Sequence, residues 1–326
     1  MHCELLVPGL FAAPPEKRLP ALELLLARGR CTSSGSQTCE AWLHDAFELD
    51  TPLPAGALTL LGAAGDPGAD WCMRADPVHL RLMQDRLVLA PAAALHLQRG
   101  EADTLCEALT RHFTPQWQVQ PVDAGRWVAR SAEGMTLEAE PPLELAGRDV
   151  MVAVPASASE LLNEVQMVLH GHPLNEAREA RGEPPVNSVW FWGAGRAPRL
   201  SSERWHSISA DDPLALGLGR AAEMRHRPLP ASAAAWLDRA PEEGRHLAVL
   251  DQLRVPHALE ETGEYQGSLA RLEREWFAPL LGALRDARIG MVSIHVPDAA
   301  ECVACETIRT DLRRFWRRPR SLEHYA

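Results

Sequence analysis

The stretch that most constrains what this chain can fold into runs from Asn163 to Leu200, NEVQMVLHGHPLNEAREARGEPPVNSVWFWGAGRAPRL. It passes from helical to extended periodicity in a few residues. Leu161, Leu162, Val165, Val168 and Leu169 recur at helical spacing and predict a helix from about Ala158 to Leu169. His170-Gly171-His172-Pro173 breaks it, because the residue before proline is pushed out of the helical region. Asn175 to Arg181 can wind a short polar helix that ends at Gly182, and Pro184-Pro185 then forces extended chain. Val186 to Trp192, rich in β-branched and aromatic residues, reads as a strand. Gly193-Ala194-Gly195-Arg196 reads as a tight turn that could bring backbone N–H groups and a guanidinium to an anion.

The flanking segments extend this into an α/β chain. Cys3 to Leu10 is a strand and Leu19 to Leu26 a helix; Arg28 to Thr38 is a polar loop, Cys39 to Phe47 a helix and Ala57 to Leu61 a strand. Strands at Pro77–Leu80 and Arg86–Leu89, a helix at Ala102–His112 and a hairpin of Trp117–Val122 with Arg126–Ala129 follow, with Glu138 to Glu144 as an exit linker. Beyond the central stretch come a helix at Ala215–Ala222, a basic loop at Arg225–Pro228 and a short helix at Ala231–Asp238. His246–Leu250 is a strand ending at Asp251, where α/β sheets place functional side chains. Leu269–Ala287 is an amphipathic helix, Ile289–Val296 a strand and Ile308–Trp316 a closing helix. The expected fold is a mostly parallel sheet sandwiched by helices, residues 1–69 with 150–326, carrying a small inserted α+β subdomain, residues 70–149.

Residues 172–198, HPLNEAREARGEPPVNSVWFWGAGRAP, resemble a segment of the archaeal-type cofactor-independent phosphoglycerate mutases, which reads His-Pro-x-Asn, a spaced Arg, Gly, Pro-Pro, x-Asn, an apolar strand and Gly-x-Gly. Trp71 to Val88 is a weaker echo of the run that opens the substrate-covering subdomain of those enzymes. The resemblance implies an alkaline-phosphatase-like core and phosphotransfer by two metal ions. The metals would lower the pKa of a Ser or Thr nucleophile and neutralise the transferring phosphoryl group. It also implies an Asp at the end of the first strand, a Ser soon after it, and Asp and His ligands late in the chain. Here the first strand has no Asp, and the first Asp of the chain is Asp45. The late segments offer Asp251, His257, His295 and Asp298 without the paired spacing such ligands need. The expectation is a mutase-like protein that has lost its two-metal site and needs no cofactor. An active, manganese- or zinc-dependent mutase or phosphatase is the alternative, with His170, Asp251 and His257 as weak metal candidates, and a protein-interaction module is a third.

The expected ligand-binding set is Arg74, Asp76, His79, His172, Asn175, Arg178, Arg181, Asn187, Gly193, Gly195 and Arg196. Planar guanidinium forks match phosphate and carboxylate bidentately. The plainer readings are a solvated helix face for Arg178 and Arg181 and an ion pair for Arg74 and Asp76. Trp192 stands where the mutases often carry Arg before Gly-x-Gly. The expected partner is a small phosphorylated acid or a protein. A net charge of −11 disfavours nucleic acid, despite the tail in which Arg309, Arg313, Arg314, Arg317, Arg318 and Arg320 surround Phe315 and Trp316. The chain shows no apolar run of membrane-spanning length and no signal-peptide pattern, so the expectation is a cytoplasmic protein. Seven scattered cysteines point to reduced thiols, Cys302-x-x-Cys305 included.

Overall fold

A computed structural model describes residues 1–134, 139–151, 159–201, 204–239, 243–298 and 300–325. Its chain divides into two compact units, residues 1–48 with 200–326 and residues 49–199. Numbered in chain order, the strands of the first unit are β1 (His2–Leu6), β2 (Arg30–Ser34), β8 (Ser207–Ser209), β9 (Arg225–Arg227), β10 (Arg245–Val249), β11 (Met291–Val296) and β12 (Cys302–Ile308). Those of the second are β3 (Trp71–Met83), β4 (Arg86–Ala90), β5 (Gln118–Pro121), β6 (Trp127–Ser131) and β7 (Ser188–Gly195).

The first unit is mixed α/β with a seven-stranded sheet in the order β2-β12-β11-β1-β10-β8-β9. β11, β1, β10, β8 and β9 run parallel, while β12 and β2 are added antiparallel at one edge. One face of the central strands, Cys3, Leu5, Val7, Ala248, Leu250, Val292 and Ile294, is buried under helices Pro20–Arg28 and Ala278–Arg285 in a single apolar core. Burying each large apolar side chain there stabilises the fold by about 1.5–3 kcal/mol. Helix Pro20–Arg28 starts with proline at its first position and has no side-chain cap of its own; Glu273 supplies one, accepting from the Ala21 and Leu22 amides at 2.7 and 3.1 Å. Glu273 opens a π-helical turn, Glu273–Phe277, between helices Thr262–Leu272 and Ala278–Arg285.

The second unit is an antiparallel sheet in the order β4-β3-β6-β5, with β7 paired along β3. Helices Arg99–Phe113 and Ser159–His170 contribute Leu105, Leu109, Phe113, Leu162, Val165 and Leu169 to its core, together with Trp117, Trp127 and Phe191. Helix Ala55–Gly62 lies so close to β3 that a Cβ on Gly56 would sit 2.4 Å from the Met73 backbone. Residues 49–69 and 159–199 therefore belong with this unit, outside the limits 70 and 149 expected from the sequence. Among the described residues no helix is long and apolar enough to cross a membrane.

Several local expectations need correction. Ala57–Leu61 is helix rather than strand; its alanine and leucines are strong helix formers and none of its apolar residues is β-branched. The polar segment after Arg28 contains β2, an edge strand exposed at every residue, so no alternation marks it. Arg225–Arg227 is also an edge strand. Where a helix was expected from Ile308, β12 runs through Ile308 and a 3-10 turn, Arg309–Arg313, follows. Cys31 and Cys305 face each other across β2 and β12 and form a disulfide, while Cys3, Cys39, Cys72, Cys106 and Cys302 are free and buried. Part of the expected linker Glu138–Glu144 and the first residue of the helix expected from Ala158 lie outside the described residues.

Candidate functional site

The His-Pro-x-Asn stretch folds back on itself. His172 caps helix Pro173–Ala180, its Nδ1 accepting from the Leu174 amide at 3.2 Å, and Pro173 takes the first helical position. Asn175 is buried and closes the loop: its Nδ2 donates to the Leu169 and Val186 carbonyls at 2.8 Å each, and its Oδ1 accepts from the Val186 amide at 2.9 Å. Arg178, fully buried, donates to the Pro184 carbonyl, the Leu95 carbonyl and Glu101 at 3.0, 2.5 and 2.7 Å. Arg181 is exposed and shares Glu101 and Glu183. Arg178 is thus not on a solvated face, whereas Arg181 is. The two inward residues of the short helix hold the Pro184-Pro185 turn onto the end of the preceding helix and onto residue 95.

The second half of the stretch is tied to β3. Asn187 exchanges two hydrogen bonds with the Leu80 backbone at 2.8 Å, mimicking a strand partner, and His79 Nδ1 donates to the Pro185 carbonyl at 2.9 Å. Arg74 and Asp76 form a buried ion pair at 2.6 Å. Trp192 donates its indole N–H to Asp76 at 2.8 Å, and the Arg74 guanidinium lies 5.1 Å from the Trp192 ring and 3.3 Å from Thr59 Oγ1. Burial pushes the Asp76 carboxyl upward, and the Arg74 charge with the hydrogen bonds from Trp192 and Arg74 only partly opposes it. Of the glycine turn expected at residues 193–196, Gly193 to Gly195 instead form the end of β7, and Arg196 follows it. Gly193 has φ +58°, and a Cβ there would lie 2.4 Å from Ala55 Cβ; one on Gly195 would lie 2.7 Å from Pro54 Cβ. These glycines let helix Ala55–Gly62 approach the strand, a packing role that the Gly-x-Gly spacing alone does not distinguish from anion binding.

Of the expected ligand set, only Arg196 is exposed without a charged partner among the described residues; its guanidinium lies 5.7 Å from the Trp71 ring. The expected pocket does not gather the rest: Arg178 and Arg181 share Glu101, Arg74 and Asp76 join Trp192, Asn187 pairs with Leu80, and His79, His172 and Asn175 are bonded to the main chain. A groove of about 540 Å³ does open beside them. His79, Arg81, Val88, Glu179, Glu183 and Pro184 are among its lining residues. His170 is exposed on the last turn of its helix.

Apart from His170, the metal candidates lie in the first unit, after the parallel strands, where such sheets usually bind ligands. After β1 comes Val7-Pro8-Gly9-Leu10, with Val7, Pro8 and Leu10 buried, and Tyr265 donates its hydroxyl to the Gly9 carbonyl at 2.8 Å to close the loop. No carboxylate or hydroxyl nucleophile stands there. His295 is turned to Glu4, at 3.2 Å, and Glu4 also accepts from Arg245 at 2.5 Å. Burial raises the Glu4 pKa, but the hydrogen bonds and charges of His295 and Arg245 outweigh it and hold the carboxyl below its ordinary range. Asp298 accepts from the Ala300 amide in its own turn, Asp212 caps helix Pro213–Ala221, and Glu40 pairs with Arg254 at 2.9 Å. His257 is exposed, 6.3 Å from the Tyr265 ring. Burial drives the Cys39 thiol far up; the Arg254 charge lowers it and the Glu40, Asp212 and Asp251 charges raise it further. Among the described residues no group of three or more His, Cys, Asp or Glu is placed to hold a metal ion, so these residues assemble no ligand set for the two metals that the resemblance implies.

Sequence reading missed Glu4, Arg245 and Tyr265. Glu4 was visible as one acid inside an apolar strand, and the other two gave no local signal.

No family model matches the chain. It is 32% identical over 162 residues to a probable 2,3-bisphosphoglycerate-independent phosphoglycerate mutase of Geobacter sulfurreducens, covering 47% of this chain and 39% of that one. It is 27% identical over 247 residues to 2,3-bisphosphoglycerate-independent phosphoglycerate mutase 2 of Methanothermobacter thermautotrophicus, covering 64% and 60%. The chain is a divergent relative of the cofactor-independent phosphoglycerate mutases. The matches span less than two thirds of either relative's length. Among solved structures, the PH0037 protein from Pyrococcus horikoshii shares the fold of this mutase-like chain, with a TM-score of 0.58, 13% identity, and coverage of 94% of this chain and 87% of that one.

Proposed function

We propose that this mutase-like protein has lost two-metal phosphotransfer and acts as a regulatory or phosphometabolite-binding protein, built on an alkaline-phosphatase-like core with the second unit as its inserted subdomain. The observation that carries this reading is the end of β1. The position where the resemblance needs a metal-binding Asp is a buried apolar loop, Val7 to Leu10, tied down by Tyr265. Restoring a site there would mean placing charge in an apolar environment, which costs far more than one tuned side chain returns. A phosphorylated acid would sit in the groove beside His79 and Arg81, whose side chains offer an imidazole and a guanidinium to an anion. Calorimetric titration with phosphoglycerate in metal-free buffer tests this: saturable binding that weakens at least tenfold in Arg81→Ala supports it. No binding, together with turnover in manganese, refutes it.

An active mutase or phosphatase is the second reading. The observation favouring it is the presence of Asp212 after β8, Asp251 after β10 and Asp298 after β11, on the side of the sheet where ligands bind. No step through a metal is derived from them, since their described surroundings do not assemble a ligand set.

A further inference from the structure

The arginine-rich segment after β12 is not a loose tail. Arg28 and this segment clasp one another: the Arg28 guanidinium donates to the Leu312 carbonyl, Arg314 donates to the Arg28 carbonyl at 3.1 Å, and Arg317 donates to the Gly29 carbonyl at 2.7 Å. Arg314 also pairs with Asp311 at 2.8 Å. These bonds cover the carboxyl end of helix Pro20–Arg28, whose last carbonyls favour cations. Anchored in this way, the segment turns two aromatic rings outward. Phe315 and Trp316 are 77% and 66% exposed, packed edge to face with centroids 5.3 Å apart. Arg309, Arg313 and Arg318 flank them, exposed and with no partner among the described residues.

The charge is as local as the aromatics. The whole chain carries −11, whereas residues 309–320 hold six arginines against one aspartate, net +5, leaving −16 on everything else. We propose that this platform docks an acidic segment of a partner protein, with carboxylates flanking an apolar side chain. The guanidinium forks would take carboxylates bidentately, and the exposed rings would be covered by the apolar residue between them. The −16 carried by the rest of the chain disfavours a long polyanion or an anionic lipid surface relative to a short acidic segment.

The test is fluorescence anisotropy with a labelled peptide in which glutamates flank a central leucine, measured on the full chain at low and physiological salt. The expected result is saturable binding that weakens at least tenfold in Arg313→Glu/Arg318→Glu and in Phe315→Ser/Trp316→Ser, and that a peptide with Gln for Glu does not show. Arg314 and Arg317 are left intact, so the clasp and the fold persist, which an unchanged thermal transition verifies. Equal binding by the reversed variant overturns the proposal, as does tighter binding of an oligothymidine or of phosphatidylserine vesicles than of the peptide. Absence of peptide binding, with or without self-association of the chain, overturns it as well. None of these outcomes bears on phosphoglycerate binding, because the groove and this platform are different surfaces read by different probes.

Discussion

Replacing Asn175 with alanine is the sharpest test of whether the family-like stretch is a brace or a binding site. The amide makes three hydrogen bonds at 2.8, 2.8 and 2.9 Å, all to the main chain of Leu169 and Val186, and only 3% of the residue is exposed. The substitution strands the Val186 carbonyl and N–H, while the Leu169 carbonyl keeps the His172 amide at 3.2 Å. Each buried group left unpaired costs about 1–3 kcal/mol, so the expected loss is about 2–4 kcal/mol. At about 2–4 °C per kcal/mol for a domain of this size, the melting temperature falls by roughly 10 °C. Urea unfolding followed by tryptophan fluorescence should show a lower midpoint with an unchanged slope. Asn175→Asp keeps the acceptor for the Val186 amide but sets a carboxylate against two carbonyls, so it should cost at least as much at neutral pH. A loss below about 1 kcal/mol for Asn175→Ala, combined with abolished phosphoglycerate binding, would refute the brace and make Asn175 a ligand contact.

Gly193→Ala should destabilise by about 2–3 kcal/mol in the same assay, since it adds left-handed strain and a methyl group 2.4 Å from Ala55; an unchanged midpoint would contradict the packing role. Arg74→Met leaves Asp76 buried without its ion partner and should cost about 3–5 kcal/mol, measured by urea unfolding, whereas a surface pair would cost under 1. The Glu4 carboxyl is held below its ordinary pKa, so its share of stability is fully present above the unfolded-state pKa and is lost as pH falls through the folded value; Glu4→Gln should flatten the acid limb of the stability–pH curve. Alkylation of the unfolded, unreduced protein followed by mass spectrometry should find five reactive thiols, rising to seven after reduction.

The parallel part of the sheet was legible because β1, β10 and β11 are apolar runs bounded by turn residues, and the amphipathic helices Arg99–Phe113 and Ser159–His170 carry their core residues at regular spacing. The edges were not. β2 and β9 are exposed or polar and take their strand geometry from a neighbour rather than from their own residues. Ala57–Leu61 misled because an apolar run of five cannot by itself separate a buried strand from a buried helix. At the candidate site the residue types were legible in the sequence, but the partners of their side chains were not. Arg178 and Asn175 look the same in sequence whether they face a phosphate or a carbonyl, and it took the positions of Glu101, Leu95 and Pro184, distant or separated in the chain, to show what occupies them. The missing carboxylate after β1 was legible from the start, because an absent residue needs no geometry.

The central claim, loss of two-metal phosphotransfer, is tested most directly by the metal content of the purified chain after incubation with manganese, read by plasma mass spectrometry beside a mutase and phosphatase assay on the same sample. The account predicts far less than one metal per chain and no turnover. One or two metals per chain, with turnover that disappears in Asp251→Ala or His257→Ala, would contradict it and restore an enzyme.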